Sequence, residues 1–373
     1  MNTNEQPFVS VLTPVYNGAD YLAECIESVL AQTYRNFEYI IVNNCSKDRT
    51  LEIAREYAAK DSRIKVHDNT EFLAVIANHN HAFSLMSPEA RYCKMVSGDD
   101  SIFPACISRM VNLAEANPSV GIVGCYQLSG DMIRWQGFRY PAPVMSGRDV
   151  CRRCLLEEQI LVKGQAILGF GTPTSLLYRS DLVRSTKEFY PNPSPHSDTS
   201  ACYEQLRKSD FGFVYEVLSF ERVHTETQSS ASADMNRYSS ACLNDLLVYG
   251  REYLTKHEFE NQVKKDLGGY QRFLGVNYVV GFKDKKFWDY HRSRLQELGY
   301  PLTRFVLLKG ALIAALHGIA NPGQTIGKVW AELSAHWARA AARRNAAGRD
   351  SVRSTLNKPR AIGAGPTIPG GQR

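Results

Sequence analysis

The sequence lacks an apolar run long enough to cross a bilayer, which takes roughly 20 residues in a helix. Its best candidate, residues 305–316 (FVLLKGALIAAL), is short and interrupted by Lys309. It also lacks a second Cys-x-x-Cys or a His pair to accompany Cys151-Arg152-Arg153-Cys154, so the spacing of a structural zinc site is missing. The nine cysteines are scattered, odd in number and preceded by no signal peptide, which speaks for reduced thiols in a cytoplasm rather than a disulfide framework. No internal repeat is detectable. Excess charge of one sign is absent from most of the chain: residues 1–327 carry 35 Lys/Arg against 36 Asp/Glu. The net charge of +6 comes from Lys328 to Arg373, with nine Lys/Arg against two Asp/Glu, and no nucleic-acid-binding module accompanies it. Nucleic acid is therefore not an expected partner.

What is present is an alternation of strand and helix patterns. Phe8 to Thr13 is a β-branched apolar run that ends in Pro14-Val15-Tyr16-Asn17-Gly18. Tyr21, Leu22, Cys25, Ile26, Val29 and Leu30 then fall on one helical face. Phe37–Val42, Ile64–His67 and Tyr92–Val96 read as further strands, with a helix marked by Leu51, Ala54, Tyr57 and Ala58 and another over residues 74–86 between them. Such alternation predicts a mostly parallel sheet with right-handed crossovers, whose ligands bind outside the carboxyl ends of the strands. Pro14–Gly18, Asn43–Asp48 and Ser97-Gly98-Asp99-Asp100 all fall at such ends.

The adjacent Asp99 and Asp100, at the end of an apolar strand, are costly to bury unless a cation neutralises them. A hard divalent cation shared with a diphosphate would do so, since Mg²⁺ is held by one or two carboxylates plus substrate phosphates. A helix-capping turn before Pro104 is the structural alternative.

These motifs, in this order, resemble the inverting family 2 glycosyltransferases. The resemblance is dense over residues 8–115, through Thr13-Pro14-Val15-Tyr16-Asn17-Gly18, Asn43-Asn44-Cys45-Ser46-Lys47-Asp48, Asn80 and Tyr92 to Asp100, and thinner to about residue 230. It implies an α/β GT-A fold, a Rossmann-like, mostly parallel sheet flanked by helices, here with a helical C-terminal extension. It also implies a nucleotide-sugar donor and a Mn or Mg ion. Thr13, Pro14 and Tyr16 would wall the base. Asn44 would accept a base N–H through its side-chain carbonyl, compatible with a UDP-linked donor although the family usually has acids at 43 and 44. Asn80 would face the nucleotide, Asp99 the ribose, and Asp100 and His224 the metal. Asp198, opening a helix after Tyr190-Pro191-Asn192-Pro193-Ser194-Pro195, would be the general base, with His196 and Glu204 as alternatives.

By the same resemblance, residues 7–125 would form the nucleotide-sugar half and 126–235 the acceptor half. Residues 236–345 read as a helical extension and 346–373 as a basic, disordered tail. Trp330, Trp337, Arg339, Arg343 and Arg344 could lie on an anionic membrane surface, at the inner face of the plasma membrane, where a lipid-linked acceptor would be found. Two rivals are a catalytically silent sugar-nucleotide-binding protein and a nucleotidyltransferase. The latter would want a basic phosphate loop after strand one, which Pro14–Gly18 does not supply.

Overall fold

The computed structural model describes residues 6–134, 142–157, 169–191, 196–223, 235–281 and 283–320. Strands β1 (Val9–Val15), β2 (Phe37–Asn43), β3 (Ile64–Asp68) and β4 (Tyr92–Met95) alternate with helices α1 (Leu22–Leu30), α2 (Thr50–Ala58) and α3 (Val75–Ser84). After them come β5 (Ser101–Ile102), α4 (Cys106–Ala116), β6 (Val120–Ser129), β7 (Met132–Arg134), β8 (Val144–Met145) and α5 (Gly147–Leu155). A 3₁₀ turn over Pro173–Ser175 leads to β9 (Leu176–Arg179), α6 (Ser180–Arg184), α7 (Ser197–Gln205) and β10 (Asp210–Glu221). Four helices follow: α8 (Arg237–Tyr253), α9 (Lys256–Val280), α10 (Lys285–Glu297) and α11 (Arg304–Ala320).

The strands form one sheet in the order β3-β2-β1-β4-β9-β6-β10-β5, with β7 beside β6 and β8 beside β10. The first half is parallel, as the alternation predicts. Beyond β4 the sheet is mixed: β9 runs antiparallel to both β4 and β6, while β6 and β10 are parallel.

Period-two alternation sorts the strand side chains onto two cores. Val9, Val11, Phe37, Tyr39, Ile41 and Tyr92 face the core that α1 and α4 cover with Leu22, Ile26, Ile107 and Met110. Leu12, Ile40, Val42, Cys93 and Met95 face the other, with Phe83 of α3, Cys151 and Cys154 of α5, and Leu246, Tyr249 and Tyr253 of α8. Strands covered on both faces read as continuous apolar runs, which explains the wholly buried β1 and β2. Truncating any of these larger side chains to alanine costs about 2–5 kcal/mol.

The chain divides into two compact units. The first holds the sheet, α8 and α10 and runs through residue 271, resuming over 283–303. The second comprises, among the described residues, 272–281 and 304–320. Within it, the end of α9 crosses α11 so closely that a Cβ on Gly275 would lie 2.4 Å from the Ala311 nitrogen. Among the described residues, no helix is long and apolar enough to cross a membrane.

Candidate active site

β1, β2 and β4 are parallel neighbours, so their carboxyl ends share one edge of the sheet. Backbone bonds carry the register beyond the strands, with Val96 N–H donating to the Leu12 carbonyl and Asn44 N–H to that of Val15, both at 2.9 Å. The loops after β1 and β2 are stitched together. Asn17 N–H donates to Ser46 Oγ at 2.9 Å, Gly18 N–H to Thr50 Oγ1 at 2.8 Å and Ala19 N–H to Asp48 Oδ2 at 3.0 Å. Lys47 N–H returns to Asn17 Oδ1 at 2.8 Å. Burial would raise the Asp48 pKa, but the bonds from Thr50 and Ala19 outweigh it and hold the carboxyl below its usual range.

The acidic pair sits just past β4. Gly98 is required there, since a Cβ would lie 2.8 Å from Val15 Cγ2. Asp100 is 6% exposed, and its carboxylate accepts from Thr174 Oγ1 at 2.6 Å and from Arg222 N–H at 3.1 Å. Arg222 Nε donates to the Asp99 carbonyl at 3.1 Å, and the same guanidinium pairs with Glu24. Burial above all, then the neighbouring Asp99 charge, push the Asp100 pKa up to about 7 despite those hydrogen bonds.

Beneath the pair lies Lys94, wholly buried, whose ammonium donates to the carbonyls of Thr174, Leu176 (3.0 Å) and Met95 (3.3 Å). Burial lowers its pKa. Lys94 thus fixes the 3₁₀ turn whose Thr174 hydroxyl holds Asp100. The sequence signal was a lone lysine inside the apolar run Tyr92–Val96.

Several expected contacts are arranged differently. Thr13 and Pro14 are buried within the sheet layer, and the Thr13 hydroxyl bonds Tyr39 Oη at 3.0 Å. Tyr16 is 44% exposed and meets the exposed ring of Phe72 edge-to-face at 5.0 Å, an apolar platform for a planar ring. The Asn44 carbonyl accepts from Leu73 N–H (2.9 Å) and Asn69 Nδ2 (3.1 Å), while its amide donates to the Leu73 carbonyl (2.9 Å). Both acceptor positions of its carbonyl are filled in this structure, so that Asn44 clamps the loop at Leu73. Asn80 also grips backbone, donating to the Tyr190 carbonyl at 3.0 Å and accepting Tyr190 N–H at 2.9 Å. Short polar side chains at strand and helix ends satisfy nearby main chain first, which sequence alone does not distinguish from ligand contact.

Asp198 is the second residue of α7, partly buried, and its Oδ1 accepts Thr199 N–H at 2.8 Å. Burial raises its pKa to about 6, against the lowering influence of His196. His196 Nδ1 lies 3.0 Å from Asp245 Oδ2. Glu204 is instead engaged by Arg207 at 3.6 Å. His224, Trp330, Trp337 and the basic C-terminal residues lie outside the described residues.

The family model for glycosyl transferase family 2 matches residues 10–184. RP339, an uncharacterized glycosyltransferase of Rickettsia prowazekii, is 36% identical over 309 residues, spanning 80% of this chain and 92% of that protein. The chain belongs to glycosyl transferase family 2. It spans only 36% of another relative, the uncharacterized glycosyltransferase EpsJ of Bacillus subtilis, at 38% identity over 34% of its own length. Among solved structures, S. aureus TarS 1–349 in complex with UDP-GlcNAc superposes with a TM-score of 0.58 at 16% identity, covering 78% of this chain and 80% of that one. The mannosyltransferase PcManGT of Pyrobaculum calidifontis, in complex with GDP-Man and Mn²⁺, gives 0.51 at 16% identity, over 88% and 85%. At such identity the likeness establishes the α/β GT-A fold of this family member and no more.

Proposed function

We propose that this family 2 glycosyltransferase moves a sugar from a UDP-linked donor to a hydroxyl of a glycan or lipid-linked saccharide, with inversion, in glycoconjugate assembly. The observation that carries the reading is Asp100, a buried carboxylate at the edge where the β1, β2 and β4 ends meet, raised to about 7 by burial and by the neighbouring Asp99 charge, a load that a bound cation would relieve. A nucleotide diphosphate bound with a divalent cation answers that need. The base would rest on the Tyr16–Phe72 platform.

The donor set suits a hard ion: Asp100 offers carboxylate oxygens, each with acceptor capacity beyond its one protein bond. Among the described residues, no group of three or more His, Cys, Asp or Glu gathers to hold a metal, so phosphate oxygens and water would complete the shell. When bound, Mn²⁺ or Mg²⁺ supplies Lewis-acid stabilisation of the departing diphosphate.

The chain's own residues do the rest. Asp198 takes the proton of the acceptor hydroxyl as its oxygen bonds the anomeric carbon and the carbon–phosphate-oxygen bond breaks, releasing UDP. A carboxylate with pKa near 6 is ionised at neutral pH yet basic enough to accept that proton. One base suffices for a single displacement, as in inverting glycosidases.

The test is Asp198→Asn, which keeps the shape and removes basicity. Donor affinity should persist while transfer falls by about two orders of magnitude or more, the size of general-base effects. Normal transfer by this variant, with loss in Glu204→Gln, would relocate the base. Binding of sugar nucleotides with no turnover in the wild type would favour the silent binding protein. A thermal-shift panel of UDP-, GDP- and CDP-sugars checks the base.

A further inference from the structure

We propose that Asp245, on α8, is a positioning residue that holds His196 as the cationic neighbour of Asp198. A helix well beyond the family-matched residues 10–184 would thus belong to the proton-handling apparatus. This goes beyond the assignment of Asp198 as base and rests on it for its kinetic consequence.

Asp245 is 3% exposed, and a carboxylate so buried is tolerated only when paired and hydrogen-bonded. Each of its oxygens has one partner on α7 or its cap: Oδ2 lies 3.0 Å from His196 Nδ1, and Oδ1 accepts from Ser200 Oγ at 2.8 Å. Both partners flank Asp198, since His196 is the residue before α7 and Ser200 lies in its first turn. With a carboxylate on Nδ1, that nitrogen carries its proton and the imidazolium is favoured. Burial works to lower the His196 pKa, yet the Asp245 bond and charge win and raise it. His196 in turn works against the burial that pushes Asp198 up.

Among the described residues, three further titratable groups that feel the Asp198 charge are neutral at working pH. Tyr178 on β9, Tyr190 before α7 and Cys202 within it feel the Asp198 charge, and burial raises all three. Tyr203, Cys242 and Tyr249 stand in the same relation to Asp245. The Tyr238 ring lies 5.3 Å from that of His196. His196 and Asp245 are therefore the principal charges acting on Asp198 among the described residues, and they act oppositely: His196 lowers its pKa by more than the Asp245 charge raises it. Removing the Asp245 carboxylate should free His196 to become neutral, and Asp198 should then hold its proton to higher pH.

The experiment compares wild type, Asp245→Asn and His196→Gln in two readouts. In NMR titration, His196 of the wild type should titrate above the ordinary histidine value and fall in Asp245→Asn. In the pH–rate profile, both variants should move the acidic limb of transfer to higher pH. A shift of half to one unit would cost about three- to tenfold in rate at pH 5.5, with donor KM unchanged and the alkaline plateau retained. An unmoved limb in folded variants, or the same His196 titration with and without Asp245, overturns the proposal. If Asp245→Asn does not fold, His196→Gln carries the kinetic test alone. Should Asp198→Asn prove active, the base assignment fails, while the NMR readout still decides whether Asp245 controls His196.

Discussion

Asn44 brackets Leu73, donating to its carbonyl and accepting its N–H, each at 2.9 Å. The loop that carries Phe72 is thereby hung from the end of β2 as though by one extra rung of sheet. Asn44→Asp removes the donor, strands a buried carbonyl and buries a charge. It should destabilise the protein by about 1–3 kcal/mol, read in urea melts at pH 7. Stability equal to the wild type would mean that the loop is held by something else.

Asp100→Ala should abolish the Mn²⁺-dependent part of UDP affinity and leave the far-UV spectrum and the cooperative melt intact. Titration calorimetry with and without Mn²⁺ separates the two. Unchanged metal-dependent affinity would remove Asp100 from the metal site.

His291, wholly buried on α10, accepts the Tyr270 hydroxyl and donates from Nε2 to the Met235 carbonyl at 2.9 Å. Burial chiefly lowers its pKa to about 4, below the ordinary value of 6.5. The unfolded chain takes a proton first as pH falls, so stability should be lost between pH 6.5 and pH 4, about 3 kcal/mol across that window. His291→Gln keeps both hydrogen-bonding capacities without titrating. Its melting temperature should fall less from pH 7 to pH 4.5, and parallel curves for the two proteins would count against the assignment.

Phe305, Leu308, Leu312, Leu316 and Ile319 recur at three- and four-residue steps along α11, each more than half exposed. We propose that this stripe, together with the basic surplus after Lys328, contacts an anionic lipid surface, where each cation is worth about 1 kcal/mol. Full-length protein should sediment with anionic vesicles in a salt-sensitive way. Truncation after Ile326 should weaken the electrostatic part, and the Phe305→Glu/Leu312→Glu pair the rest, with donor hydrolysis little changed. Equal partitioning of all three proteins at low salt would leave the region without a membrane role.

The first half of the sheet was legible because β1, β2 and β4 are buried on both faces and so spell out apolar runs of strand length. The edge that gathers Tyr16, Asn44 and Asp100 followed from parallel topology alone. What the sequence could not show was the division of labour among short polar residues there. Asn44 and Asn80 are chemically fit to hold a nucleotide and are spent on Leu73 and Tyr190 instead. Thr13 reads as a loop wall by position, but β1 continues through Val15 and keeps it inside. Asp245 was hidden for a different reason: a lone acid in an amphipathic helix looks like solvated surface until the partner helix is known.

Lys94 has a bearing on how the chain reaches this state. Its ammonium finds carbonyl partners 80 and 82 residues downstream, apart from one on the next residue. Until Thr174 and Leu176 arrive, β4 carries a charge that must stay hydrated, and the strand cannot complete the sheet at full stability. Closure of so long a loop is slow relative to local helix formation, so β9 is expected to dock late in folding. A fragment ending near residue 125 would hold every strand of the parallel half and still leave this lysine stranded. It should therefore behave as a collapsed, exchange-labile species rather than as an independent domain.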